Sequence, residues 1–318
     1  MIKSGFAFIA SHLQIEGMLP VELVPGHTIR AAMDTEVTDI RNYLEQSKPR
    51  DNFLWVPYDG LVKEEHIDSQ TTFYIESLPR EKWKYWVLAF EGTNRYIHEL
   101  ELVGQLLPVN FDFGFVFFYS EPSQAGVLGG RLVMPLHIID RYTSHNQAYA
   151  NAESVTSEQL ASLGNLFHIY EALLPEYVFV NKALSSFADL RRVPSTSELV
   201  IVGLFSIIES LITHAPRLSE TLDSINHQIT NKIILLRKRY SRTILPSQYF
   251  LHATEDNIWK KLYGYRSAVA HGTSVSFESD YLILKDRETV VRFLKDNLKE
   301  LLLIALREPA FIFDLRKC

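Results

Sequence analysis

Cysteine is almost missing from this chain of 318 residues: Cys318, the last residue, is the only one. That excludes an intramolecular disulfide and a multi-cysteine metal site, and it favours a reducing compartment. There is no HExxH, no paired CxxC and no EF-hand loop, and His137 and His145 lack the close spacing of a helical metal pair. No metal and no other cofactor is therefore expected. A glycine-rich phosphate loop is missing too. Gly126 to Gly130, GVLGG, lacks the Lys-Ser/Thr that would follow in such a loop and reads as a hairpin turn. The absence of GxSxG argues against a serine hydrolase of that type. No run approaches about 18 uninterrupted apolar residues, so no membrane span is expected. The opening stretch, MIKSGFAFIASHLQIEGML, is broken by His12, Gln14 and Glu16 and lacks a signal-peptide core. A cytoplasmic protein is the resulting expectation.

What is present is ordinary globular material. Hydrophobic residues are 47% and charged residues 22%, which supplies a core and excludes a disordered or fibrous chain. The length suits two domains of usual size or one large one. The net charge of -6 is unevenly spread: residues 1–154 carry about -8 and residues 155–318 about +2. The densest basic stretch, NKIILLRKRYSR, holds Lys232, Arg237, Lys238, Arg239 and Arg242. It reads either as a patch for a polyanion such as RNA or as a solvated helix end, where cations are favoured.

Pattern divides the chain in the same place. GFAFI (5–9), WKYWVLAFE (83–91) and FGFVFFY (113–119) read as strands, and Trp83, Tyr85 and Val87 alternate with Lys84 and Trp86 as in a half-buried strand. Helical spacing marks 34–46, and 93–107 starting at Thr93. Trp55, Trp83 and Trp86 are core or a recognition surface. Residues 1–150 are thus a mixed α+β domain, and the polar stretch SHNQAYANAESVTSE places the boundary near 145–156. From 155 to 318 the periodicity is almost all helical. Helices are predicted over 157–174, 176–190 opened by Pro175, the segment after a Ser195-x-x-Glu198 capping box, 220–240 capped by Ser219, 255–271 capped by Thr254, and 287–306 stopping before Pro309. The helix in LVIVGLFSIIESLITHA is apolar nearly all round and should be central. The fold class is α+β, with an all-α bundle as its second half.

One constellation carries chemistry. KKLYGYRSAVAHG (260–272) places Arg266 five residues before His271, with Gly272 as a natural residue just past a helix end. A helix C-terminus favours an imidazolium, and an arginine fork suits phosphate. Such a pair can cleave RNA without metal: a 2′-hydroxyl attacks phosphorus, the histidine moves a proton and the arginine stabilises the phosphoryl oxygens. Five residues on a helix turn about 500°, so the two side chains point about 140° apart, and a two-fold dimer would supply a second copy of each.

These residues resemble the HEPN superfamily, and within it the ApeA-like group. The likeness rests on an acidic residue, Glu209, in the apolar helix SELVIVGLFSIIESLI (197–212), a second helix in ETLDSINHQITNKIILL (220–236), LYGYRSAVAHG (262–272) and the long VVRFLKDNLKELLLIALRE (290–308). It covers about 160 residues. The resemblance implies a helical bundle, often dimeric, acting as a metal-independent endoribonuclease in phage defence or as a toxin. Arg266 and His271 take the places of the motif arginine and histidine, and Ser267 stands where many members carry Asn, Asp or His. A non-catalytic interaction or nucleotide-binding scaffold is the alternative. Glu209 either anchors Arg266 or orients His271. Tyr263 and Tyr265 stack on a base or pack in the core, and Lys260 and Lys261 contact phosphate or are simply solvated. The implied partners are RNA, tRNA among the candidates, a second copy of the chain, and a phage-derived trigger or regulatory partner acting through the N-terminal half. A ring-nucleotide-activated variant would need a Rossmann-like N-terminal domain, which the strand–helix order does not show.

Overall fold

The computed structural model describes residues 4–47, 58–67, 70–92, 96–121, 124–130, 153–216 and 224–318. Two compact units emerge, Met1–His168 and Ile169–Cys318. Trp55, Thr93, His137, His145 and Ser219 lie outside the described residues.

The first unit contains strands β1 (Ser4–Ile9), β2 (Leu13–Glu16), β3 (Val21–Val24), β4 (His27–Ala31), β5 (Gly60–Ile67), β6 (Gln70–Ser77), β7 (Trp86–Glu91), β8 (Phe113–Glu121), β9 (Gln124–Gly130) and β10 (Glu153–Thr156). Six of them form one sheet in the order β3-β4-β7-β1-β8-β9, antiparallel at every pairing. That is not the parallel topology a Rossmann-like domain requires. Helix α1 (Asp34–Ser47) lays Val37, Ile40, Tyr43 and Leu44 on Phe6, Phe8, Phe115 and Phe117. The Phe6 and Phe117 rings stack at 4.7 Å. The opposite side of the sheet is covered as well, since Ala7, Ile9, Leu88 and Phe90 are also buried. The alternation expected from Trp83 to Val87 is therefore absent: Lys84, Tyr85, Trp86 and Val87 are all buried. Trp86 belongs to the core, and its indole N–H donates to the Leu13 carbonyl at 2.8 Å. GVLGG is not a turn but part of β9, paired with β8.

The end of this unit lies later than 150. Strand β10 pairs in parallel with β2, and the first turns of helix α3 (Ser157–Glu171) follow it directly. A Cβ on Gly164 would sit 2.0 Å from the Leu23 carbonyl oxygen, so only glycine lets α3 approach β3 this closely. The polar sequence around 150 hides this attachment, and the division falls inside α3. A further helix, α2 (Ile97–Gly104), buries Ile97, Leu100 and Val103.

All described regular structure from residue 157 to 315 is helical. The second unit holds α4 (Val178–Asp189), α5 (Leu199–Ile212), α6 (Ile225–Leu236), α7 (Glu255–Ala270), α8 (Arg287–Arg307) and α9 (Pro309–Leu315). Helix α5 packs on all five others and is the hub of the bundle. Pro175 opens a short 3₁₀ turn before α4, as the first helical position allows. Thr254 caps α7 by accepting from the Asn257 N–H. Two local expectations fail. Glu198 forms no capping box; its carboxylate accepts the Tyr265 hydroxyl at 2.6 Å instead. The helix after Ser219 begins at Ile225, capped by Ser224. Helix α8 stops before Pro309 as expected, and Pro309 opens one further helix, α9, at its first position. Among the described residues no helix is long and apolar enough to cross a membrane.

Candidate active site

Helix α7 carries the Arg–His pair on its last turns, and its end has a defined geometry. His271 is the capping residue at φ −96° and ψ 2°, and Gly272 follows at φ +69°. The Thr273 N–H donates to the Ala268 carbonyl at 2.9 Å and the Gly272 N–H to the Val269 carbonyl at 3.2 Å. These two bonds are a Schellman motif, which stops the helix at His271. The imidazole is left exposed.

Arg266 turns the other way, toward the hub. One guanidinium nitrogen, Nη2, donates to Glu209 Oε2 at 3.3 Å. Glu209 Oε1 lies 3.3 Å from the same nitrogen but off the bonding direction, and it has no hydrogen-bond partner. Arg266 Nε is likewise without one. The guanidinium lies 5.7 Å from the centre of the Tyr263 ring. Burial pushes the Glu209 carboxyl above the usual carboxylate range, and Arg266 pulls it down without cancelling that effect. Of the two roles considered for Glu209, the contact found is with Arg266. The pair is held by one nitrogen rather than by a two-pronged fork.

The other singled-out residues separate. Tyr265 is fully buried, its hydroxyl on Glu198, so it packs rather than stacks on a base. Ser267 is half-buried beside Arg266, and its carbonyl accepts the His271 N–H at 3.1 Å. Lys232 is not on the surface: it is buried, and its ammonium donates to the Ile212 carbonyl at the end of α5. Arg237 pairs with Glu255 at 2.6 Å, Arg239 with Glu308 at 2.5 Å, and Arg242 with the buried Glu300 at 3.0 Å. Lys261 donates to the Asp280 carbonyl at 2.8 Å. Lys238 and Lys260 are exposed. Most of the basic stretch is thus tied into the fold. Among the described residues no three His, Cys, Asp or Glu side chains gather as a metal site.

One feature was not foreseen. The hub helix is not covered all round. Ser206 and Ser210 stay exposed, and with Glu209 and Thr213 they line a groove of about 630 Å³ whose far wall includes Arg316 and Lys317. The i, i+4, i+7 spacing of Ser206, Ser210 and Thr213 in an otherwise apolar helix was a legible signal for an open stripe. Nothing in the terminal FDLRKC marked Arg316. Comparison with protein-family models, curated proteins and solved structures finds no match to this chain.

Proposed function

We propose that the helical unit is a metal-independent endoribonuclease of the HEPN type, acting in the cytoplasm in phage defence or as a toxin. The observation that carries this reading is Arg266, held to Glu209 by one nitrogen, five residues before an exposed His271 at a capped helix end. His271 takes the proton of a 2′-hydroxyl, whose oxygen attacks the adjacent phosphorus while the bond to the 5′-oxygen breaks. Arg266 stabilises the phosphoryl oxygens. The leaving oxygen takes a proton from an imidazolium, which a two-fold dimer supplies as its second His271. The products are a 2′,3′-cyclic phosphate and a 5′-hydroxyl. The α+β unit restrains or targets this activity, in response to a phage-derived trigger or a regulatory partner.

The test is to express the wild type and His271→Ala in cells and sequence the RNA ends, then to repeat cleavage in EDTA with purified protein. Cyclic-phosphate ends that need His271 and survive EDTA support the reading; strict dependence on added Mg²⁺ refutes it. The engagement of Arg266 by Glu209 favours one other reading, a scaffold that binds RNA or a nucleotide without cleaving it. RNA binding by the wild type with no cleavage in either assay would select that one.

A further inference from the structure

The groove beside Glu209 has two unlike walls. On the α5 wall the hydroxyls of Ser206, Ser210 and Thr213 give their protons back to their own helix, at the carbonyls of Val202, Ile207 and Glu209, over 2.8 to 2.9 Å. Their oxygens therefore face the groove as acceptors. Phe313, on α9, and Arg316 and Lys317, just past its end, line the groove as well. Arg316 borders this groove and also an adjoining cavity of about 370 Å³, and Ser206 and Ser210 line both spaces too. Lys182 stands in the second cavity. Unlike Arg237, Arg239 and Arg242, Arg316 pairs with no carboxylate among the described residues; its guanidinium rests 5.7 Å from the centre of the Phe179 ring. Lys317 is less available, since it lies 3.3 Å from Asp314 and 3.7 Å from the centre of the Phe313 ring.

A row of acceptors facing a cation fits a strand that offers hydroxyl donors on one edge and phosphates on the other. DNA has the phosphates but lacks the hydroxyls. We infer that this groove is an RNA-strand subsite, in which Arg316 holds a phosphate and the Ser206 and Ser210 oxygens accept from ribose 2′-hydroxyls. The inference rests on the ribonuclease reading, because the groove is reached from the cleavage site through Glu209, which touches Arg266 and lines the groove. Arg316 is then a positioning residue. It lies outside the motif, on the last turn of the chain.

The experiment uses the full chain. Binding of a short fluorescein-labelled single-stranded RNA, and of the DNA of the same sequence, is measured on a His271→Ala background to prevent cleavage. Arg316→Ala and Arg316→Gln are compared with Arg307→Ala, which removes an equal charge elsewhere. Glutamine keeps the stem over Phe179 and guards against a folding defect. The expected result is RNA binding weakened about tenfold by both Arg316 changes, with a salt slope shallower by about 0.7, the share of one phosphate contact on a single strand. Ser206→Ala with Ser210→Ala should narrow the preference for RNA over DNA. With His271 restored, the Arg316 variants should raise KM and keep kcat. If the wild type cleaves RNA and the Arg316 variants bind and cleave like Arg307→Ala, the subsite is wrong and the ribonuclease stands. If the wild type cleaves nothing while RNA binding still depends on Arg316, the ribonuclease reading fails and the subsite survives.

Discussion

Replacing Gly272 by alanine isolates the geometry that ends α7. A Cβ at this position would meet nothing within 4 Å, so no packing is lost or gained. What changes is the backbone. At φ +69° an L-residue is strained, by about 1–2 kcal/mol. Alanine also restricts the unfolded chain, which returns about 0.4–1 kcal/mol. The net cost is about 1 kcal/mol, and it falls on the Schellman bonds before anything else. Hydrogen exchange reads this locally: the Thr273 amide, bonded to Ala268, should exchange about fivefold faster in Gly272→Ala. Asparagine tolerates the left-handed region and should leave the amide close to wild type. RNA cleavage should fall in the same order, because the motif sets where the His271 ring leaves the helix. Equal Thr273 protection in the alanine and asparagine variants would refute the argument, since both add a Cβ and only the strain differs.

Lys232→Met should destabilise the helical unit by about 1.5–3 kcal/mol, the worth of a hydrogen bond from a charged group, because the Ile212 carbonyl loses its ammonium donor. Thermal unfolding checks this, and RNA affinity should not change in the folded variant, since the side chain is buried. Glu209 has a raised carboxyl pKa, so between its unfolded and folded values the native state binds more protons, and stability falls as pH rises through that window. Unfolding from pH 4 to 8 should therefore show the wild type losing ground to Glu209→Gln as pH rises; a gain would mean that Arg266 outweighs burial. Tyr265→Phe removes the hydroxyl bond to Glu198 and should cost about 1 kcal/mol in urea unfolding. An unchanged midpoint would show that water satisfies Glu198 equally well.

Most of the helices were legible because their signals are written locally. The Thr254 cap, the turn at Pro175 and the glycine after His271 act within one or two turns of their own residues. The sheet order was not legible, because β1 pairs with strands that begin far along the chain, at Trp86 and Phe113, and burial on both faces erases the alternation that marks a half-covered strand. The basic stretch shows the same limit. Its charges were countable, but their partners were not: Glu300 lies 58 residues from Arg242, and Glu308 lies 69 from Arg239. Arg266 and His271 were legible from the motif, and the acid in the apolar hub helix announced a need for a partner. Which partner it took depended on how α7 packs against α5.

That packing explains why neighbouring residues of α7 have opposite fates. Tyr265 reaches Glu198, just before the first turn of α5, and Arg266 reaches Glu209, near its last. Eleven residues of helix separate the two acids, about 16 Å along the axis. Two consecutive side chains of α7 are thus fastened to opposite ends of one helix, which resists both sliding and rotation. The hydroxyl of Tyr265 is enclosed, and its pKa is raised mainly by burial and then by its bond to Glu198, so that tie stays protonated and intact across the physiological range. The tie at Arg266 is the weaker one, with a long single-nitrogen contact and an acid that burial holds above its ordinary range. On the ribonuclease reading proposed above, a phosphate at Arg266 would draw the guanidinium from Glu209 without loosening α7, because Tyr265 and the capped end at Gly272 still fix the helix that carries His271.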